Sequence, residues 1–262
     1  MAAAAPTLRD VLFAYLTPRR GYERFKGHDG LNPEQARNSM ALMLWVDQGH
    51  GHVTRHVPAL TTDAFDHLVH EIRTMLDLLH TNVLVLPPTP LISALGQEGG
   101  GVDLVGTFAY DPGFIVRALA GVLDGPVAKL IFDDRLYRAF DRHQTGLLGR
   151  HTEIELAYVT PPPANVPEDF RSMFITFSRG QSVERDEVFN YFRHKWGDCI
   201  VRVLLEKTNG GMPPMYGRII FRSEAFVSLA LNGVERVSIF IRDREIWLRK
   251  YIPRPSNNNN NN

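Results

Sequence analysis

A proline-rich segment near the middle of the chain cannot belong to a helix or to the centre of a sheet. It runs from Thr160 to Pro167 with the sequence TPPPANVP, which favours extended polyproline geometry. The chain has 262 residues, a length that suits two domains. We predict an N-terminal domain over 1–158, a linker over 159–169 and a C-terminal domain over 170–253. Residues 254–262, which end in asparagines, are predicted to be disordered.

Apolar residues upstream of the linker recur every three or four positions, as on one face of an α-helix. This spacing predicts a helix over 65–79 with Thr61 or Thr62 as its N-cap, and another from Pro33 to Gln48 after Asn32. A third helix is expected to open at Asp111-Pro112. A fourth, after Pro126, is expected to bury five residues: Val127, Leu130, Ile131, Leu136 and Phe140. Short strands are predicted near 82–86 and 102–108, within an otherwise α-helical domain.

The pattern downstream of the linker changes to β-α-β-β-α-β. Strands are predicted over 172–178, 199–206, 216–222 and, as a hairpin, 236–241 and 245–252; helices are predicted from Ser182 to Gly197 and from Ser223 to Leu231. Two βαβ units of this size predict the ferredoxin-like topology, with both helices behind one sheet. The fold class of the whole chain is therefore α+β.

Alternation along each strand predicts which side chains lie on the sheet face that the helices leave open. On the first strand, Met173, Ile175 and Phe177 are expected to pack inward. The outward set comprises Phe174, Thr176, Arg202, Leu204, Tyr216, Arg218, Ile220, Trp247, Arg249 and Tyr251. The predicted open face thus combines aromatic rings with several arginines.

Two of these strands carry motifs that resemble those of RNA-recognition domains. The first strand, MFITFS over 173–178, is similar to the hexapeptide motif, whose second position, here Phe174, stacks on a base. The third strand, YGRIIF over 216–221, is similar to the last six positions of the octapeptide motif. Asn232-Gly233 and the run 244–248 match the turn and final strand of the same domain.

A narrower resemblance covers residues 174–253. It is to a group of plant proteins that pair a helical N-terminal region with an RNA-recognition-like domain, through phrases such as FSRG over 177–180 and RKYIP over 249–253. The chain departs from the domain pattern in its first strand, where Phe177 replaces the usual asparagine, in the spacing from Phe192 to Gly197, which is one residue longer than typical, and at two places in the octapeptide. Pro214-Met215 replaces the leading basic–glycine pair of the octapeptide, and Arg218 replaces its central aromatic.

The resemblance implies a non-catalytic protein that lays single-stranded RNA across the sheet. The residues implied in contact are Phe174, Thr176, Arg202, Tyr216, Arg218, Trp247 and Arg249. From 171 to 254 the chain has 15 basic and 9 acidic residues, an excess that favours an anionic partner. The helical domain would then recruit a protein partner. Because the motif is degenerate, the alternative is a protein-interaction adaptor that no longer binds RNA.

Other signals in the sequence do not predict chemistry. Six histidines between 50 and 80 invite a metal interpretation, but His67 and His70 are three residues apart and lack the spacing of a zinc-protease helix. The glycine-rich run 96–101 lacks the lysine of a phosphate-binding loop. No nucleophile motif is present, so we expect no enzyme, metal or cofactor.

The expected location is the nucleus or the cytoplasm, with no membrane association. No apolar run is long enough to span a bilayer, and a single cysteine, Cys199, fits a reducing compartment. The alanine-rich start, followed by basic residues at Arg9, Arg19 and Arg20, leaves an organelle-targeting segment as the alternative.

Overall fold

The computed structural model describes residues 5–49, 52–79, 88–96, 111–146, 152–162, 165–178, 181–208 and 212–253. The chain divides into two compact units, residues 1–164 and residues 165–262. The first unit is helical, and the second contains a five-stranded antiparallel sheet. The predicted strands at 82–86 and 102–108, most of the glycine-rich run and the asparagine tail lie outside the described residues.

The first unit is built from helices joined by short connections. They are α1 (Leu8–Ala14), α2 (Leu16–Lys26), α3 (Pro33–Gly49), α4 (Thr62–Asp77), α5 (Pro90–Leu95), α6 (Pro112–Asp124), α7 (Pro126–Ile131), α8 (Asp134–Gln144) and α9 (Thr152–Glu155), with single 3₁₀ turns at Val53–Arg55 and Val57–Ala59. The first two helices were not predicted. The core of the unit lies largely on α3 and α4, where residues such as Met40, Met43, Leu68 and Ile72 are fully buried.

Local capping explains why three of the predicted helices are confirmed. The Thr61 hydroxyl caps α4, and the Asp111 carboxylate caps α6 by accepting from the Phe114 N–H. At the start of α3, the Asn32 side-chain oxygen accepts hydrogen bonds from the N–H groups of Glu34 and Gln35. These interactions involve residues within three positions of each other, so the sequence pattern reveals them.

The predicted fourth helix is wrong in one respect, because it is two helices. α7 ends at Ile131 and α8 begins at Asp134, with the Asp133 carboxylate accepting from the first N–H groups of α8. The buried Arg19 side chain of α2 lies at this junction. Its guanidinium donates to the Ile131 carbonyl at 2.7 Å and to the Asp134 carboxylate at 2.7 Å, and it also pairs with Glu23. A buried charge needs such partners. The break between α7 and α8 supplies two of them, the Ile131 carbonyl and the Asp134 carboxylate.

Residues expected to face inward from this segment are only partly confirmed. Leu130, Ile131 and Phe140 are buried, whereas Val127 and Leu136 are half-buried. The change of helix axis after Ile131 resets the helical phase, and a single stripe of apolar residues does not continue across it.

The Arg19 junction makes the stability of the first unit depend on pH. Burial opposes ionisation of Asp134, but hydrogen bonds from Lys26 and Arg19 lower the pKa of its carboxyl below the ordinary value of an aspartate. A carboxyl whose pKa is lowered by folding stabilises the fold above its unfolded-state pKa, and this contribution is lost as the pH falls through the folded-state pKa.

We therefore expect Asp134→Asn to lower the free energy of unfolding by about 1 kcal/mol near neutral pH. The difference between variant and wild type should shrink as the pH falls below about 4, because the wild-type carboxyl then becomes protonated as well. Urea unfolding at a series of pH values measures both effects. A deficit that stays constant from neutral to acidic pH would contradict this assignment.

In the second unit, the order of elements is β-α-β-β-α-β-β. They are β1 (Ser172–Phe177), α10 (Arg185–Trp196), β2 (Ile200–Leu205), β3 (Tyr216–Phe221), α11 (Glu224–Leu231), β4 (Arg236–Ile241) and β5 (Arg244–Lys250). The strand order in the sheet is β2-β3-β1-β5-β4, with every neighbouring pair antiparallel. The predicted hairpin is confirmed, and its turn contains Arg242 with a positive φ of 58°.

The helices pack on one face of this sheet, around Phe221. Its ring lies 5.5 Å from that of Phe192 in α10 and 6.2 Å from that of Phe226 in α11. The inward residues predicted on β1 are confirmed, since Met173, Ile175 and Phe177 are buried. The start predicted for α10 is wrong. The helix begins after Glu184, which forms a capping box with Glu187, and Ser182 is not its cap.

Gly217 lets β2 approach β3 closely. A Cβ at this position would lie 2.7 Å from the Leu204 carbonyl oxygen and 3.1 Å from the Ile175 side chain. By contrast, a Cβ at Gly121 in the last turn of α6 would meet nothing within 4 Å.

The same substitution should therefore have opposite effects at these two glycines. Gly217→Ala is expected to cost about 1–3 kcal/mol, because backbone of β2 must move away. Gly121→Ala is expected to stabilise the helical unit by about 0.5–1 kcal/mol, because alanine has the higher helix propensity. Thermal unfolding of both variants tests the pair, and equal effects would contradict the close approach at Gly217.

Candidate functional site

The sheet face opposite α10 and α11 carries the residues singled out in the sequence; we call it the outer face. The pairing registers place its residues in rows that cross the strands. Following the strand order β2-β3-β1-β5-β4, one row is Leu204, Arg218, Phe174, Arg249 and Arg236. In the adjacent row, β3, β1, β5 and β4 contribute Tyr216, Thr176, Trp247 and Ser238.

The structure brings all seven candidate contact residues onto this face. Arg202, Tyr216 and Arg249 are exposed; Phe174, Thr176, Arg218 and Trp247 are half-buried. Leu204 is exposed and Tyr251 is half-buried. The predicted exposure of Ile220 is wrong, because its side chain is fully buried.

A turn just before β1 lies at the end of the sheet that contains Ile220. Residues 167–171, which we call the acidic turn, are closed by hydrogen bonds from Phe170 N–H to the Pro167 carbonyl and from Arg171 N–H to the Glu168 carbonyl. The Ser172 hydroxyl, opposite Ile220, donates to the Glu168 carbonyl, and the Phe221 N–H donates to the Arg171 carbonyl. The turn is thereby bonded to this end of the sheet.

The two carboxylates of the acidic turn neutralise two of the candidate arginines. Glu168 pairs with Arg202 at 2.6 Å, and Asp169 pairs with Arg218 at 2.6 Å. The Arg218 guanidinium also lies 3.9 Å from the ring centroid of Tyr251. Its Nε is buried and has no hydrogen-bond partner among the described residues. Arg202 and Arg218 are therefore occupied by intramolecular contacts.

The remaining part of the outer face has aromatic rings and cations in direct contact. The rings of Phe174 and Tyr216 are stacked, with centroids 5.6 Å apart and planes 25° from parallel. The Arg249 guanidinium lies 4.5 Å from the Phe174 centroid. A base that reaches Phe174 must therefore displace this guanidinium or stack on its outer plane, and both kinds of contact occur in RNA recognition.

The sequence interpretation missed Arg236, which the structure places beside Arg249. It lies directly opposite Arg249 in the β4–β5 pair, and its guanidinium is 4.7 Å from the ring centroid of Trp247. The sequence does contain a signal for this position, because a hairpin with its turn at Arg242-Asp243 fixes the pairing of the two strands and so places Arg236 opposite Arg249. Alternation along the last strand alone does not indicate Arg236, because that residue lies on the hairpin partner.

Flat rings and outward-facing guanidinium groups can bind planar bases and anions. Within the part of the chain that the structure describes, no cluster of three or more metal-binding side chains is found. His50 and His80, part of the histidine-rich stretch, lie outside that part. Among the described residues, no helix is long and apolar enough to span a membrane.

Comparisons of the chain with protein-family models, with curated proteins and with solved structures find no match. Inference about function therefore rests on the chemistry of the outer face.

The Asp169–Arg218 pair should contribute to stability more than an exposed pair of the same length. Arg218 keeps 19% of its side-chain surface exposed, whereas Arg222, which also pairs with an aspartate at 2.6 Å, keeps 54%. We expect Asp169→Asn to cost about 1 kcal/mol, because a largely buried guanidinium loses its countercharge. Asp198→Asn, its matched control at Arg222, should change stability by less than about 0.5 kcal/mol. Chemical denaturation compares them, and equal losses would contradict the role of burial.

Proposed function

We propose that the second unit is an RNA-recognition-like domain that binds single-stranded RNA on its outer face. The ferredoxin-like βαββαβ assignment is supported by the sequence of elements and by the position of β1 between β3 and β5. In this assignment β4 is an additional edge strand, and β2, β3, β1 and β5 are the four strands of the motif. The proposal includes the resemblance of the β1 and β3 motifs to those of RNA-recognition domains.

The observation that carries this proposal is the grouping of Phe174, Tyr216 and Trp247 beside exposed guanidinium groups. Neither Arg236 nor Arg249 has a carboxylate partner among the described residues. Aromatic faces bind bases of any sequence by stacking, and nearby cations bind the phosphate backbone. Thr176, between the three rings, offers a hydroxyl that can donate to or accept from a base edge.

Arg202 and Arg218 have a smaller part in this proposal than their positions in the sequence imply. Their guanidinium groups already pair with the carboxylates of the acidic turn, which leaves them fewer donors and less charge for phosphate. RNA is therefore expected to contact mainly the half of the outer face formed by β1, β5 and β4. The helical unit is proposed to recruit a protein partner, with the nucleus or the cytoplasm as the proposed location.

A second candidate function is a protein-interaction adaptor. It is favoured by the edge strand β2, which exposes Val201 and Leu204 with nearly half of each side chain accessible. The register of β2 against β3 shifts between Ile200 and Arg202, which turns Val201 outward as well. Exposed apolar residues on an edge strand are typical of surfaces that pair with another polypeptide.

RNA affinity measured on single-residue variants of the full chain tests the first function. We expect Phe174→Ala and Trp247→Ala each to weaken binding of a mixed-sequence single-stranded RNA by about tenfold, since a stacked base contributes about 1–3 kcal/mol. Phe13→Ala removes an exposed aromatic of the helical unit and is the matched control, with no effect expected. Fluorescence anisotropy at two salt concentrations measures these affinities, and binding should weaken at the higher one.

Absence of RNA binding by the wild-type chain at low salt would refute the first function. Equal losses in Phe13→Ala and Phe174→Ala would refute the location of the site. The adaptor function makes a different prediction, in which Leu204→Asp abolishes a protein interaction that Trp247→Ala leaves intact.

A further inference from the structure

The additional strand β4 brings two arginines into directly opposed positions on the outer face. Arg236 and Arg249 are cross-strand partners, and both side chains are exposed. Like charges directly opposite each other destabilise a sheet pair. Such a pair is tolerated when the charges are well solvated or when an anion binds between them.

The other cations on the strands of this sheet are matched by carboxylates. Arg202 pairs with Glu168, Arg218 with Asp169, Arg244 with Glu187, and Lys250 with Glu224. Arg236 and Arg249 are the exceptions among the strand residues that the structure describes. The carboxylate of Glu245, which is on the same strand as Arg249, forms no ion pair with either of them.

Each of these two guanidinium groups lies over an aromatic ring instead. Arg249 is 4.5 Å from the centroid of Phe174, and Arg236 is 4.7 Å from that of Trp247. A ring contact holds the planar group without using its hydrogen-bond donors. The only hydrogen bond of Arg249 in the described structure goes to the Lys250 carbonyl, at 3.2 Å. Most of the N–H donors of the pair are therefore available to a ligand.

We propose that Arg236 and Arg249 form a phosphate-binding subsite, which deepens the proposed function by naming where the RNA backbone is held. Guanidinium groups bind phosphate oxygens through pairs of parallel N–H donors, and two of them side by side form a clamp for one phosphodiester. At the opposite end of the row, the arginines already pair with the acidic turn and are less available to the backbone. The strand of RNA then crosses β5 and β4 with its bases near Phe174 and Trp247.

The subsite is tested directly by following the arginine Nε–Hε signals of the full chain by NMR. Two probes are titrated separately: inorganic tripolyphosphate and a mixed-sequence single-stranded RNA of twelve nucleotides. We expect the signals of Arg236 and Arg249 to shift with both probes. Those of Arg202 and Arg222, which are comparably exposed but paired with carboxylates, should stay in place. Shifts of Arg202 equal to those of Arg236 would overturn the subsite.

Salt dependence of RNA binding provides the second test. Each lost phosphate contact lowers the slope of log affinity against log salt by about 0.7 for a single strand. We expect this change, with about five- to tenfold weaker binding at low salt, for Arg236→Gln and for Arg249→Gln. Arg222→Gln is the matched control, at an exposed arginine outside the candidate contact residues, and should keep the wild-type slope. Circular dichroism of each variant establishes that the sheet is retained.

The outcomes separate the subsite from the proposed function. If the wild-type chain does not bind RNA but tripolyphosphate shifts Arg236 and Arg249, the RNA function fails and the phosphate subsite stands. If RNA binds and Arg236→Gln keeps the wild-type slope, the subsite fails and the RNA function stands.

Discussion

The pairing of β1 with β3 on one side and β5 on the other determines the outer face. Because Met173, Ile175 and Phe177 are buried against the helices, Phe174 and Thr176 must face outward. The two registers then decide their neighbours. A shift of one residue in either pair would place Phe174 opposite an inward-facing residue of the partner strand. The aromatic rings and guanidinium groups would then no longer be neighbours. The packing of β1 against the helices on one face of the sheet thus fixes which residues form the candidate site on the other face.

How much of this could be predicted depends on the distance along the chain between interacting residues. Caps such as Asp111 and the alternation of β1 are local, so the sequence predicts the helix starts and the inward residues. The ion pairs of Arg202 and Arg218 link residues 34 and 49 positions apart, through a turn that the sequence interpretation placed in a linker. No local pattern indicates that such a turn is bonded to the end of the sheet. Alternation alone therefore predicts the face on which these two arginines lie, but not that both are paired with carboxylates.

In the helical unit, too, a contact between residues distant in sequence decides a feature that local patterns do not reveal. The apolar spacing after Pro126 predicts one helix, because periodicity records which faces are apolar and not where an axis changes direction. The structure ends α7 at Ile131, where a buried guanidinium from α2 binds the terminal carbonyl. Arg19 is more than a hundred residues away in sequence. In the sequence it is only one basic residue among several near the N-terminus, and its burial is decided by tertiary packing.

The distribution of charge on the sheet explains how a chain with a formal net charge of zero can still present unpaired positive charge on one surface. Counting residues gives the C-terminal half a basic excess, but most strand cations are neutralised by specific carboxylates. What remains is a small, localised excess at Arg236 and Arg249, neither of which forms an ion pair with a described carboxylate. Screening reduces the effect of distant charges to little at physiological salt, so this local excess governs the approach of an anion more than the total does. The acidic turn sharpens the contrast, because its carboxylates pair with the arginines at the opposite end of the face and leave little unpaired charge there for an anion.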